Sequence, residues 1–471
     1  MRLGLRWTRL CFLVTLLPLA EALSSFLASP RAKSWLGGSV SPTPLPGLLD
    51  DLFEHQLVVD LTLTTARVEI ALHDGSSVGF TTRAYDGKVP APTLVVTPGD
   101  HLIFNITNAL GRGLTNRTSI HLHGLHVGND GIVVEPGESL TFKFTIPSHH
   151  PSGTFWYHPH VHGLINSQLG GLLAGALVVL DRPGDPPALR DHACDHVLLI
   201  QAVCAVDCHH AHDELAHAIQ APMMDPRRQF FVDVQSNSSG LHVLVNGASV
   251  PVLDVLPHKW TRLRYINAIA NSIVEIANPP PPCMTLLLAR DGITKPNWTP
   301  LVEAVVLPPG SRADLLIRCP PTVAEITVDR NPARTGNLGH HHRVQSQPLM
   351  LLRVQGVELN SMEPPKWPQP SHVSLPTYMR APTSTQLQRN CSFNYAFTAN
   401  DTAMSTFGVN GEPFRHEAVD TLVQGVPQLW CVCVAHPEQH NHPFHVHGTH
   451  FYVNGEWRDT IPVLRSTERV W

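Results

Sequence analysis

The chain has 471 residues, 43% of them hydrophobic and 15% charged, with a formal net charge of -5. It is long enough for about three domains and apolar enough to fill their cores, which excludes a disordered chain. No basic stripe is present to neutralise phosphates, so composition gives no support for a nucleic-acid partner. The anomalies are 42 Pro, 32 Gly and 30 His. The first two suit many short strands joined by turns; the third points to metal, since imidazole is the commonest metal ligand.

In chain order, Arg2, Arg6 and Arg9 precede an apolar run from Leu10 to Ala20, and Ala20-Glu21-Ala22 offers small residues for cleavage. Residues 1–22 read as a secretory signal peptide, too short and wrongly flanked for a membrane span. Of nine Cys, Cys11 lies in that leader, and the other eight fit an oxidising compartment with their pairing open. Sequons begin at Asn105, Asn116, Asn237, Asn297, Asn390 and Asn400. Together these features predict a secreted, extracellular glycoprotein with no membrane span once the leader is removed.

Residues 23–50 read as a linker. From Leu57 onward the alternation is strand-like, with runs at Thr93–Val96, Leu102–Ile106, Leu140–Ile146 and Leu177–Leu180, and turns at Pro98-Gly99-Asp100 and Pro136-Gly137-Glu138. The pattern restarts at Leu244-Val245-Asn246-Gly247 and again at Phe407-Gly408-Val409-Asn410-Gly411, with a Pro-rich crossing between. The expected layout is three β-units at 51–184, 185–356 and 391–471, with 357–390 as an inter-domain linker. Long helical spacing is absent, so the fold class is all-β sandwich or barrel.

Three segments carry the chemistry: His121-Leu122-His123-Gly124, His158-Pro159-His160, and His442-Pro443-Phe444-His445-Val446-His447-Gly448. Alternate residues of a strand share a face, so His121 with His123, His158 with His160, and His445 with His447 each present two imidazoles together. Pro159 lacks an N–H and predicts an edge or an irregularity. His442 is an odd number of residues from His445, and on an extended backbone it points elsewhere. In so His-rich a chain a lone His-x-His is weak, and His-rich surface loops could supply it. Here the motifs stand among aromatic and small residues, Phe155-Trp156-Tyr157 before one and Phe444 inside another, as a water-excluding site needs.

These phrases, with Ala91-Pro92-Thr93-Leu94 and Pro309-Gly310-Ser311-Arg312-Ala313-Asp314, resemble the multicopper oxidase family of laccase, ascorbate oxidase and bilirubin oxidase. The likeness runs from about residue 57 onward and is weakest between 186 and 240. It implies three consecutive cupredoxin (plastocyanin-like) Greek-key β-sandwich domains, with copper as cofactor and with O2 and a small reducing substrate as partners. It also implies that His121 and His445 hold the type 2 copper. His123, His158, His160 and His447 would serve the type 3 pair, and His442 the type 1 copper. His126 and His162 fall beside the motifs rather than on ligand positions.

The family's His-Cys-His motif is not found in the sequence, and Cys431 and Cys433 precede His442, the wrong order for a blue site. A strand or disulfide role suits those two cysteines better. The expectation is an incomplete third domain and an oxidase of phenol-like or metal-ion donors that is inactive or impaired in this form. The alternative is a non-enzymatic copper-binding or pseudoenzyme cupredoxin protein. Cys204, Cys208, His209, His210, His212 and His217 form a second cluster, read as a disulfide and a solvated loop rather than an accessory metal site. His340–His342 reads as a metal-sticky surface tract. Asp130, Glu456 and Asp459 are candidates for orienting ligands or moving protons, and equally for ordinary loop carboxylates.

Overall fold

The computed structural model describes residues 56–113, 116–128, 132–181, 193–204, 232–236, 241–270, 272–301, 303–329, 346–355, 375–387, 389–400, 406–413, 420–423, 425–435, 442–463 and 468–470. Residues 1–22 and 23–50, expected to be a leader and a linker, lie outside them. So do Asp130, Cys208, His209, His210, His212, His217 and His340–His342.

Among the described residues the chain is nearly all strand, with short helices only at Ile165–Gly170 and Ser384–Leu387. The N-terminal sheet is built on the long strand Gln56–Ala71, antiparallel to Ser77–Tyr85 and parallel to His101–Asn108. A second sheet runs Leu94–Val96, Gly175–Val179, Gly153–His158, His121–His123. Between the two lies a core that includes Leu61, Phe104, Leu122, Phe144, Tyr157 and Leu177. The alternation read from Leu57 is therefore the ordinary signature of a sheet with one buried face.

The middle of the chain forms a seven-stranded sheet facing a five-stranded one. In the first of these, Trp260–Asn267 is buried at every position and lies between Ala193–Cys204 and Arg312–Arg318. Val232–Ser236 returns to the N-terminal sheet and pairs with Ser77–Tyr85. The C-terminal part has a five-stranded sheet and two two-stranded sheets, with a core that includes Val432, Phe444, Ile461 and Val463.

The two sequence restarts are tight hairpins. Asn246-Gly247 joins Leu241–Val245 to Ala248–Ser249, and Asn410-Gly411 joins Thr406–Val409 to Glu412–Pro413, with positive φ at all four residues (51°, 81°, 55° and 81°). A two-residue turn matching the strand twist needs that conformation, and Asn-Gly supplies it at least strain.

Disulfides join Cys283 to Cys319 and Cys391 to Cys431. The strand Trp430–Val434 holds both Cys431 and Cys433, in keeping with the strand or disulfide role expected of them; Cys431 is cross-linked and Cys433 is a free thiol.

Candidate metal centre

The strand His121–His123 pairs antiparallel with Gly153–His158, so that His121 faces His158 and His123 faces Trp156. Leu122 turns into the core, and the two imidazoles turn the other way. Strand pairing ends at His158, immediately before Pro159, where the chain loses a donor. Beyond it the His160 N–H donates to Ser119 Oγ at 2.9 Å. From the C-terminal part, the strand His442–His445 pairs with Thr460–Val463 and brings His445 and His447 against the same face.

Six rings meet there. His121 is central, with ring centroids 5.3 Å from His123, 5.1 Å from His158, 5.0 Å from His160, 5.6 Å from His445 and 4.0 Å from His447. His123 stacks on His445 at 3.7 Å, and His160 lies 4.7 Å from His447. His442 stands apart, stacked on Phe397 at 4.1 Å, as the odd spacing suggested despite Pro443.

The hydrogen bonds orient the rings. His158 Nδ1 donates to the Pro159 carbonyl at 2.9 Å, and His158 Nε2 is buried without a hydrogen-bond partner. His445 Nδ1 donates to the Asp459 carbonyl at 2.8 Å, which turns its Nε2 to within 3.4 Å of His121 Nε2. A ring fixed by one N–H offers the lone pair of its other nitrogen to a metal. Two nitrogens facing at 3.4 Å have no proton to share if both are lone pairs, and an ion between or beside them would relieve that.

Burial keeps these rings neutral. It pushes His123 and His158 well below the usual imidazole range, helped by His445 and by His160 respectively. His445 is lowered to about 4, again by burial, against the pull of the Asp459 carboxylate. Neutral imidazole is the ligand form.

Below the rings lies a charge network of which the sequence reading had only Asp459, as a candidate for orienting ligands. Arg312 reaches Asp459 with two hydrogen bonds, 2.7 and 2.6 Å, and both side chains are fully buried. Burial opposes the Asp459 charge, but Arg312 and His123 outweigh it and hold the carboxyl well below its ordinary range. Asp459 Oδ1 lies 3.5 Å from His123 Nε2 and 3.9 Å from His445 Nδ1. Since Arg312 already engages both its oxygens, Asp459 acts on the site by orienting rings. Thr460 joins in, its hydroxyl 3.1 Å from His123 Nε2. Glu456 instead pairs with Lys295, the ordinary loop role.

The Arg312 loop fits closely. At Gly310, φ is +85° and an added Cβ would lie 2.7 Å from His123 Cε1. Trp156 closes the floor, stacked on His158 at 4.2 Å and donating from Nε1 to the Gly310 carbonyl at 3.2 Å. The phrase Pro309–Asp314 was legible only as part of a family likeness; its contacts with Asp459 are 147 residues away in sequence.

Three side-chain groups among the described residues are close enough to hold an ion: His121 with His123 and His158, His121 with His445 and His447, and His123 with His445 and Asp459. An all-imidazole set suits copper, among other first-row metals.

The family model described as multicopper oxidase matches residues 69–184. The chain is 26% identical to Laccase-1 of Trametes villosa over 427 residues, 86% of this chain and 67% of that protein. Residues 69–184 thus match a multicopper oxidase domain, and the chain as a whole resembles the laccase-like multicopper oxidases. It is also 33% identical over 140 residues to the multicopper oxidase MmcO of Mycobacterium tuberculosis, a match spanning 24% of that protein and 27% of this chain. In fold it is similar to the multi-copper oxidase from Pseudomonas Thermotolerans, with a TM-score of 0.62 at 21% identity over 89% of this chain and 92% of that one. The fold class is accordingly all-β with cupredoxin-like domains, and by resemblance the chain is an oxidoreductase.

Proposed function

We propose that the six clustered imidazoles bind copper and that this multicopper oxidase couples one-electron oxidation of phenol-like or metal-ion donors to reduction of O2 to water. The observation that carries this reading is the convergence of His121, His123, His158 and His160 with His445 and His447, from opposite ends of the chain, on one buried patch. Bound there, copper supplies the one-electron redox capacity that the side chains lack.

In this reading His121 and His445 hold the type 2 ion; their facing Nε2 atoms support that pairing. His123, His158, His160 and His447 hold the type 3 pair. His442, turned away toward Phe397, belongs to a separate type 1 site. The protein's own contribution is to fix the rings. Carbonyls of Pro159 and Asp459 set the tautomers of His158 and His445, Trp156 stacks under His158, and Arg312, donating to both the Thr154 carbonyl and Asp459, ties the strand that carries His158 to the segment that orients His445. The leader over residues 1–22 supports secretion; among the described residues no helix is long and apolar enough to cross a membrane.

The test is copper content by elemental analysis, with oxygen uptake measured in the presence of a phenolic donor. Copper bound with donor-dependent oxygen uptake supports the oxidase. Copper bound without uptake supports the alternative, a copper-binding protein without turnover. A chain that binds no copper overturns both.

A further inference from the structure

A second histidine group lies beside the first and is built differently. His450 Nε2 donates to the Asp291 carbonyl at 2.7 Å. A carbonyl only accepts, so the Nδ1 of neutral His450 is a lone pair. His126 Nε2 lies 2.7 Å from that atom and must donate to it, which leaves His126 Nδ1 as a lone pair in turn. The hydroxyl of Tyr378 is hydrogen-bonded to His126 Nδ1 and is therefore the donor. His150 holds the ring in place from behind: its Nε2 accepts the His126 backbone N–H at 3.0 Å, and its Nδ1 donates to the Pro151 carbonyl at 2.8 Å. One carbonyl at the inner end thus fixes the proton on every group of the row.

The outer end of the row is at the surface. Tyr378 is 50% exposed, and the ring of His149 meets it edge-on at 5.6 Å. The inner end is buried, with His450 Nε2 3.5 Å from Asp459 Oδ2. Burial and the neighbouring His450 and His150 hold His126 far below the usual imidazole range, so it is neutral. Burial raises the Tyr378 phenol to about 12, so it keeps its proton.

We propose that Tyr378 is a redox-active tyrosine, a surface site that gives one electron to an external one-electron oxidant while its proton moves inward along His126 and His450. In the step the Tyr378 O–H bond breaks, the electron goes to the oxidant, and His126 Nδ1 gains the proton. The His126 Nε2–H bond then breaks and an N–H bond forms at His450 Nδ1. The products are a neutral phenoxyl radical and an imidazolium at His450; burial holds that ring below the usual imidazole range, and the Asp459 carboxylate 3.5 Å away opposes that effect in part. A phenol oxidised without a base must pass through a high-energy cation radical; an aligned imidazole removes that requirement. None of Tyr378, His126 and His450 is among the residues proposed above to hold copper.

The test uses the full chain, with and without added copper, and photogenerated tris(bipyridyl)ruthenium(III) as oxidant, following phenoxyl formation by transient absorbance. Tyr378→Phe should remove the fast-forming radical in both preparations. His126→Gln keeps an acceptor for the phenol but no base, and should slow formation about a hundredfold, the scale of general-base assistance. A merely structural role for His126 would leave that rate unchanged, because the glutamine carbonyl preserves the hydrogen bond. His450→Gln should leave formation fast but lose the long-lived radical, because the proton then stays beside the phenoxyl oxygen. Wild-type behaviour in Tyr378→Phe or in His126→Gln overturns the proposal, and an unchanged radical lifetime in His450→Gln overturns the inward transfer. Failure of these outcomes with copper content intact leaves the oxidase reading standing; the reverse result leaves the tyrosine standing.

Discussion

Two groups of histidines lie side by side in this protein, and the difference between them is in the second nitrogen of each ring. In the group around His121, one nitrogen of His158 and of His445 is tied to a carbonyl while the other faces neighbouring rings, and His158 Nε2 meets no hydrogen-bond partner. In the group around His126, both nitrogens of His126, His150 and His450 are engaged by protein. Clustering alone is common to both. Between these two groups, only the first leaves a buried ring nitrogen, His158 Nε2, unclaimed, and such an atom is costly unless something binds it. The first arrangement suits a metal and the second suits moving a proton.

The largest effect should come from His121→Ala, which removes the ring in contact with all five others. Copper affinity should fall by more than the about 10–100-fold that follows loss of an orienting partner. Equilibrium dialysis with elemental analysis measures it, and copper retained at wild-type affinity would break the assignment. Asp459→Asn comes next. It removes the carboxylate that Arg312 engages twice and leaves only Asp291, 3.9 Å away, as an ion-pair partner, at up to about 3–5 kcal/mol of stability, and should weaken copper within that same range. Denaturant unfolding and dialysis read the two effects separately.

The pH dependence of the copper-free chain sharpens the comparison further. His445 is held at about 4 in the folded protein, against about 6.5 when unfolded. Between those values the unfolded chain takes up a proton that the folded one refuses. Stability should therefore fall as pH drops through that window, by up to about 1.4 kcal/mol per pH unit for this one group. A flat unfolding free energy between pH 6 and pH 4 (roughly the window set by those two values) would show that the ring is not held neutral. Gly310→Ala should cost less, about 1–2 kcal/mol for its positive φ, and should disturb copper only through His123. The smallest effect belongs to the second group: His126→Gln and His450→Gln should leave copper content unchanged.

The parts of this arrangement legible in the sequence were those with a local period. Two-residue alternation gave the strands, the same alternation placed His121 with His123 and His445 with His447, and odd spacing turned His442 away. The two Asn-Gly phrases were legible as restarts of the pattern, while the hairpins they form came from the structure. What sequence could not give depends on contacts between distant residues: Arg312 with Asp459, separated by 147 positions, and His126 with Tyr378 and His450, separated by 252 and 324. His126 was passed over because it falls outside the alternating pairs. Tyr378 was passed over because it lies in a Pro-rich stretch with no period to read. Neither carries a local signal, since the role of each is made by its partner.

The most direct test of the account is copper retained after dialysis by two double variants, His121→Ala/His445→Ala and His126→Gln/His450→Gln, beside the wild-type chain. The expected result is a metal-poor first variant and a second that matches wild type. Copper lost from the second and kept by the first would contradict it.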